Sequence, residues 1–185
     1  MGGNGALHLA FKFPDIFSTA AGVSGFYAYE NHPFWEKMMA NYREDLYPDS
    51  LDRIVALPWQ MEHNFGFAAA AAPNPYNPPF YFDLPVEIVD GEVIIVPEVI
   101  QKVTNANVIH DVHKYLDQPV RLRGVAIYHG VDDELTPVGL SSAFSDILSD
   151  LNVEHEYVEV DDGHCDVLWD YTDVLKFMSA NLAGD

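Results

Sequence analysis

Apolar side chains recur at Leu7, Ala10, Phe11 and Phe13, with Pro14 just beyond, a spacing that predicts a short helix over 2–13 stopped by proline. The small and β-branched run that follows, ending at Gly25, predicts a buried strand at 18–23. Trp35, Met38, Met39 and Tyr42 fall on one face of a helix over 33–45. Residues 56–97 then break the pattern. The stretch 68–86 is rich in proline and aromatics and predicts no regular element. Residues 86–96 alternate around Asp90 and Gly91 as a hairpin does. Together they predict an insertion folded over a scaffold. One or two helices are expected over 97–116, with Pro97 suited to a first helical position.

The last third alternates more regularly. An apolar run at 121–130, best defined over 121–128, predicts a strand, and 136–151 an amphipathic helix. Val153, His155, Tyr157 and Glu159 alternate against their neighbours over 153–160, the mark of another strand, and a final helix is expected over 166–182. Strand, helix, strand, helix is the order of an α/β fold with a parallel sheet covered by helices. No internal repeat is visible. At 185 residues and 49% apolar content the chain suits one domain with a real core.

Charge narrows the partners. Formal net charge is −20, with 29 acidic and nine basic residues. Such a chain cannot neutralise phosphate, so neither nucleic acid nor an anionic membrane is an expected partner. No run of about 18 apolar residues predicts a membrane span. No signal peptide is visible, and the single Cys165 implies no oxidising compartment, so the cytoplasm is the default expectation.

The chemistry gathers on two late loops. After the strand at 121–128 comes HGVDDELTP, and after the strand at 153–160 comes DDGHCD. Functional groups in open α/β sheets collect at the carboxyl ends of strands. An acid on one such loop and a histidine on the next are the last two members of a Ser–Asp–His triad in chain order. The histidine takes the nucleophile's proton, and the carboxylate fixes its tautomer and stabilises the imidazolium. The chain also opens on Met1-Gly2-Gly3-Asn4-Gly5-Ala6, which reads as the back half of a Gly-x-Ser-Met-Gly-Gly turn.

Four stretches, MGGNGALHLAFKFPDIFSTAAGVSG, NPPFYFDLP, YHGVDDELTPV and DDGHCDVLW, resemble the α/β-hydrolase esterase family that includes esterase D, S-formylglutathione hydrolases and enterochelin esterases. Their order and spacing carry the resemblance, which spans nearly the whole chain but only the carboxyl half of that fold. It implies a three-stranded, mostly parallel sheet (strands near 18–23, 121–128 and 153–160) and a carboxylic-ester hydrolase needing no cofactor. The acid of its Gly-x-x-Asp-x-x-x-Pro pattern falls on Asp133, between Gly130 and Pro137, with Asp132 as the neighbour in a shifted reading. The base falls on His164. Met1 matches the residue after the nucleophile, so Met1 and Gly2 are the remnant of the oxyanion hole. The nucleophile and the strands before it have no counterpart, a gap on the order of 100 residues judged from about 30 per βαβ unit. The chain is thus expected to be weak or inactive alone, and Met1 is expected near His164. A natural fragment and a start placed late in a complete esterase both fit, and a non-catalytic ligand- or partner-binding module is the alternative.

Other candidates are weaker. Ser24 lacks the second glycine of Gly-x-Ser-x-Gly and reads as a pocket-wall or turn residue. Tyr76, Phe80, Tyr81 and Phe82 are either ordinary packing or the wall of an acyl pocket, and the resemblance favours the pocket. Cys165, beside His164, reads as small and buried. His110 and His113 lie three apart but lack a third ligand, so no metal site is expected. His155 reads as a surface residue. With the earlier strands of the family's sheet absent, the strand at 18–23 is expected as an open, uncharged edge that pairs with a second copy in a homodimer or other homo-oligomer.

The acidity itself has two readings, an ordinary soluble acidic protein or adaptation to high salt. The melting temperature measured from low to molar salt separates them. A steep rise marks adaptation, because screening relieves the self-repulsion, and a flat response marks the ordinary case.

Overall fold

The computed structural model describes residues 1–28, 50–54, 56, 57, 59–164 and 172–182, without the side chains of 59–61. The helix expected over 33–45, the first residues of the final helix and Cys165 lie outside the described residues. The chain divides into two compact units, Met1–Tyr29 with Asn107–Asp185, and Glu30–Ala106. The second is wider than the insertion expected at 56–97. The helix at Pro97–Asn105 packs on the helix that ends at Ala71, and so belongs to this unit.

In the first unit, helix α1 (Gly2–Lys12) leads into strand β1 (Thr19–Val23). Helix α1 stops where expected, with Phe13 leaving helical geometry before Pro14. Three strands form one parallel sheet in the order β1, β4 (Gly124–Gly130), β5 (Glu156–Val160). Central β4 explains why a parallel sheet forms. Val125 and Ile127 enter one apolar cluster with Leu7, Phe11, Val112, Phe144 and Leu148, while Ala126 and Tyr128 enter another with Val158 and Phe177. A strand buried on both faces reads as a continuous apolar run, as this one does.

The ends of the expected strands differ for local reasons. Residues 121–123 do not join β4, because the Arg121 guanidinium turns back to the carbonyls of Leu116 at 2.9 Å and Tyr115 at 3.3 Å, at the end of helix α5 (Val108–Leu116). Residues 153–155 do not join β5. His155, expected at the surface, is half-buried, its Nδ1 2.9 Å from the Val153 carbonyl and its Nε2 2.8 Å from Ser145 Oγ of helix α6 (Val138–Asp150). Helix α7 (Thr172–Leu182) closes the chain and lies near β1 and β4.

The second unit holds helix α2 (Leu51–Ile54), helix α3 (Trp59–Ala71), the hairpin β2 (Val86–Val89) and β3 (Glu92–Ile95), and helix α4 (Pro97–Asn105). Helix α3 corrects the expectation of irregular chain from 68 onward. Alanine is the strongest helix former, so the helix runs through the alanines to Ala71 and yields only before Pro73. Irregular chain over 72–85 follows, tied by Asp83, which accepts from Asn74 Nδ2 at 2.7 Å and from Lys102 at 3.3 Å. The hairpin turns at Asp90 and Gly91 with φ of 51° and 81°, the two positive values of a type I′ turn. Pro97 stands at the first position of α4. Among the described residues, no helix is long and apolar enough to cross a membrane.

Tyr27 is fully buried and stacks on Phe144 with ring centroids 5.0 Å apart. Gly22 makes room for it, since a Cβ there would meet Tyr27 Oη at 2.2 Å, Leu7 Cδ1 at 2.9 Å and the Gly3 carbonyl at 3.0 Å. Gly22→Ala is expected to cost about 1–3 kcal/mol through overpacking. A Cβ on Gly5, inside α1, meets nothing within 4 Å. Gly5→Ala is expected to stabilise by about 0.5–1 kcal/mol by removing freedom from the unfolded chain. Urea denaturation of the two variants beside the parent chain reads both signs.

Candidate active site

The loops after β4 and β5 leave adjacent parallel strands at the same end of the sheet, and their backbones are stitched together. Val131 N–H donates to the Val160 carbonyl at 2.8 Å, and Asp132 N–H to the Asp162 carbonyl at 3.1 Å. This register brings Asp133 to His164. His164 Nδ1 lies 2.8 Å from Asp133 Oδ2 and 3.0 Å from Oδ1. The Asp133 side chain is fully buried, while that of His164 is 23% exposed. Nδ1 faces carboxylate oxygens at these distances, so it carries a hydrogen, and in the neutral ring Nε2 then holds the lone pair.

Asp133 is held from several sides. The N–H groups of Leu135 and Thr136 donate to Oδ1 at 2.9 and 2.7 Å, and the Thr136 hydroxyl donates to Oδ2 at 2.8 Å. Burial raises the pKa of this carboxyl. The hydrogen bonds from the Thr136 N–H, His164, the Thr136 hydroxyl and the Leu135 N–H outweigh burial and hold it below the usual carboxylate range. Asp132, the alternative acid, is exposed.

One residue of the network was not anticipated. His129, fully buried at the end of β4, places Nε2 3.1 Å from Asp133 Oδ2 and 2.8 Å from the Thr136 carbonyl. Both are acceptors, so Nε2 carries a hydrogen. Nδ1 sits 2.6 Å from Ser141 Oγ. The only trace of it in the sequence is a histidine at the end of an apolar strand, just before Gly130.

The other expected site residues are less closely joined. Ser24 is buried at the carboxyl end of β1 with φ 46°, and its carbonyl oxygen lies 3.4 Å from the Thr136 hydroxyl oxygen, whose one hydrogen goes to Asp133. That brings the Ser24 backbone close to the Asp133 network. Met1 precedes α1 and is 80% exposed. The first turn of α1 packs closely on the carboxyl end of β1, since a Cβ on Gly3 would meet the Val23 carbonyl at 2.3 Å, whereas one on Gly2 would meet open space. Among the described residues, no hydrogen bond or ion pair joins Met1 to His164.

The aromatic group does not form one wall. In the second unit Phe80 and Phe82 pack edge-on against Phe65 at 5.9 and 6.0 Å, as core residues. Tyr76 is 91% exposed, and Tyr81 is exposed with φ 59°. The alternation of these four side chains between core and solvent follows from the tight turns of 72–85. Among the described residues, no group of three or more His, Cys, Asp or Glu side chains is placed to hold a metal ion.

The three-stranded parallel sheet and its flanking helices form part of an α/β-hydrolase fold. No family model matches the chain, and no curated protein matches it. Among solved structures, the apoenzyme of S-formylglutathione hydrolase (FrmB) from Staphylococcus aureus is similar with a TM-score of 0.51 at 16% identity, over 97% of this chain and 50% of that one. Est1E from Butyrivibrio proteoclasticus is similar with a TM-score of 0.47 at 19% identity, over 98% and 58%. The chain thus spans about half the length of the first of these, and the similarity shows its fold.

Asp133 binds protons less readily folded than unfolded, so its ionisation stabilises the fold above the ordinary aspartate value and ceases to as pH falls through the lowered one. Asp133→Asn leaves donors facing an amide and is expected to cost about 1–3 kcal/mol at neutral pH. That gap should narrow as pH drops below about 4. Urea midpoints of both proteins across this range test it, and a constant gap would show that the carboxylate charge plays no part.

Proposed function

We propose that Asp133 and His164 are the acid and base of a carboxylic-ester hydrolase of the serine-esterase type. One observation carries the reading: a buried, multiply hydrogen-bonded carboxylate holds Nδ1 of a partly exposed histidine, on loops from adjacent parallel strands. Asp133 fixes the tautomer, orients the ring and stabilises the imidazolium, and Nε2 takes a proton from the attacking group. Met1 and Gly2 stand in this reading as part of the oxyanion hole, supported by the packing of the first turn of α1 on the end of β1, where backbone N–H groups favour developing negative charge. These 185 residues contain no Gly-x-Ser-x-Gly. Ser24 is 2% exposed, which suits a wall better than a nucleophile. In this chain by itself His164 therefore acts on water, and general-base help of that kind is worth about 10²–10⁴-fold.

The charge around His164 selects among esters. Glu134 Oε2 accepts from the His164 N–H at 3.2 Å, and Asp132, Asp161 and Asp162 lie on the same two loops. Such a field favours uncharged or cationic esters over anionic ones.

Slow hydrolysis of activated acetate esters is the expected activity. His164→Ala should bring it to the background rate, and Ser24→Ala should leave it. An anionic ester should react more slowly than a neutral one of equal reactivity, with the difference shrinking as salt rises. Turnover that survives His164→Ala and disappears in Ser24→Ala would overturn the assignment.

A further inference from the structure

The most exposed strand is not in the main sheet. The side chains of β1 are buried or half-buried, whereas all four of β3 are exposed, with Val93, Ile94 and Ile95 at 43, 46 and 57%. Among the described residues the sheet holding β3 has two strands, and no strand among them pairs with the outer edge of β3. The stretch 93–96 is uncharged, bounded by Glu92 and by Pro97. It lacks the charges, bulges or prolines that usually protect an edge from pairing.

The register shows which backbone groups are free. Val96 N–H donates to the Pro85 carbonyl at 2.9 Å, and Ile94 lies opposite Glu87. Hydrogen-bonded and non-hydrogen-bonded pairs alternate along an antiparallel ladder. The backbone groups of Glu92, Ile94 and Val96 therefore face β2, and those of Val93 and Ile95 point outward.

We propose that β3 pairs antiparallel with β3 of a second copy of this chain, about a two-fold axis at Ile94, to form a four-stranded sheet. This axis sets Val93 opposite the partner copy's Ile95, and Ile95 opposite its Val93. All four outward N–H groups and all four outward carbonyls are then matched in a self-complementary contact. Glu92 falls opposite Val96 of the other copy, so no carboxylate meets another across the seam. An axis at Ile95 would set Val93 against Pro97, which has no N–H to give. Self-complementarity in both hydrogen bonding and charge is what points to a second copy as the occupant.

The test is sedimentation at micromolar concentration in molar salt, which screens the repulsion between two chains of −20. The parent chain is expected to run as a dimer. Ile94→Lys, which sets two lysines against each other at the axis, should run as a monomer with an unchanged circular dichroism spectrum. A second measurement does not depend on that variant folding. In a Cys165→Ser background, Ile94→Cys places two thiols on a non-hydrogen-bonded pair with Cα atoms about 4.5 Å apart, within disulfide range. It should form a covalent dimer on mild oxidation. Glu92→Cys puts its thiols four residues out of register, roughly 14 Å apart at about 3.4 Å per residue, and should not. A monomeric parent chain, a dimer that persists in Ile94→Lys, or equal cross-linking at 92 and 94 would each overturn the proposal.

Discussion

The first unit's chemistry depends on burying one carboxylate. Asp133 lies in the loop that follows β4 with its side chain fully buried, where an unpartnered charge would be costly. Two backbone amides, a hydroxyl and two imidazoles supply its partners. Three of these come from the turn at 133–136, one from the end of β4 and one from the loop after β5, so the charge is fully satisfied only when all three are in place. The group that orients the candidate base is thus also the group that fixes the loops carrying it.

His129 extends this dependence into the core. Its ring joins Asp133 and the Thr136 carbonyl on one side to Ser141, in the first turn of α6, on the other. The position of α6 against the sheet is therefore coupled to the position of the acid. Buried polar networks of this kind rigidify a core when every member is satisfied. The Thr136 hydroxyl oxygen also lies 3.4 Å from the Ser24 carbonyl, so the end of β1 comes close to the same turn.

Much of this was legible in the sequence because the site follows from strand order. The apolar run over 121–128 and the alternation over 153–160 marked two strands, and polar loops after them placed an acid and a histidine at one end of a parallel sheet. The hairpin was legible for a different reason, since Asp-Gly turns demand positive φ and few other pairs supply it. What stayed hidden depends on contacts distant along the chain. His129 looks like any residue of an apolar strand until the turn at Thr136 and the start of α6 fold back to it. Arg121 looks like a strand residue until the carbonyls at the end of α5 claim its guanidinium. The proline-rich stretch concealed that its alanines continue a helix, and aromatic content could not say that Phe82 would turn inward while Tyr81 turned out.

Gly130 shows why the motif around the acid takes its form. A Cβ there would meet the Asp162 carbonyl at 2.2 Å and the Gly163 carbonyl at 2.5 Å. Both are backbone atoms of the loop that carries His164, and they cannot swing aside as a flexible side chain does. The glycine is required by the loop lying directly on it, not by an unusual φ. If that loop were lifted to admit a methyl group, the Asp132 to Asp162 hydrogen bond would lengthen first, and the bond from His164 to Asp133 with it. The spacing from Gly130 to Asp133 is therefore a packing constraint before it is a chemical one: it lets two loops approach closely enough for a carboxylate on one to hold an imidazole on the other.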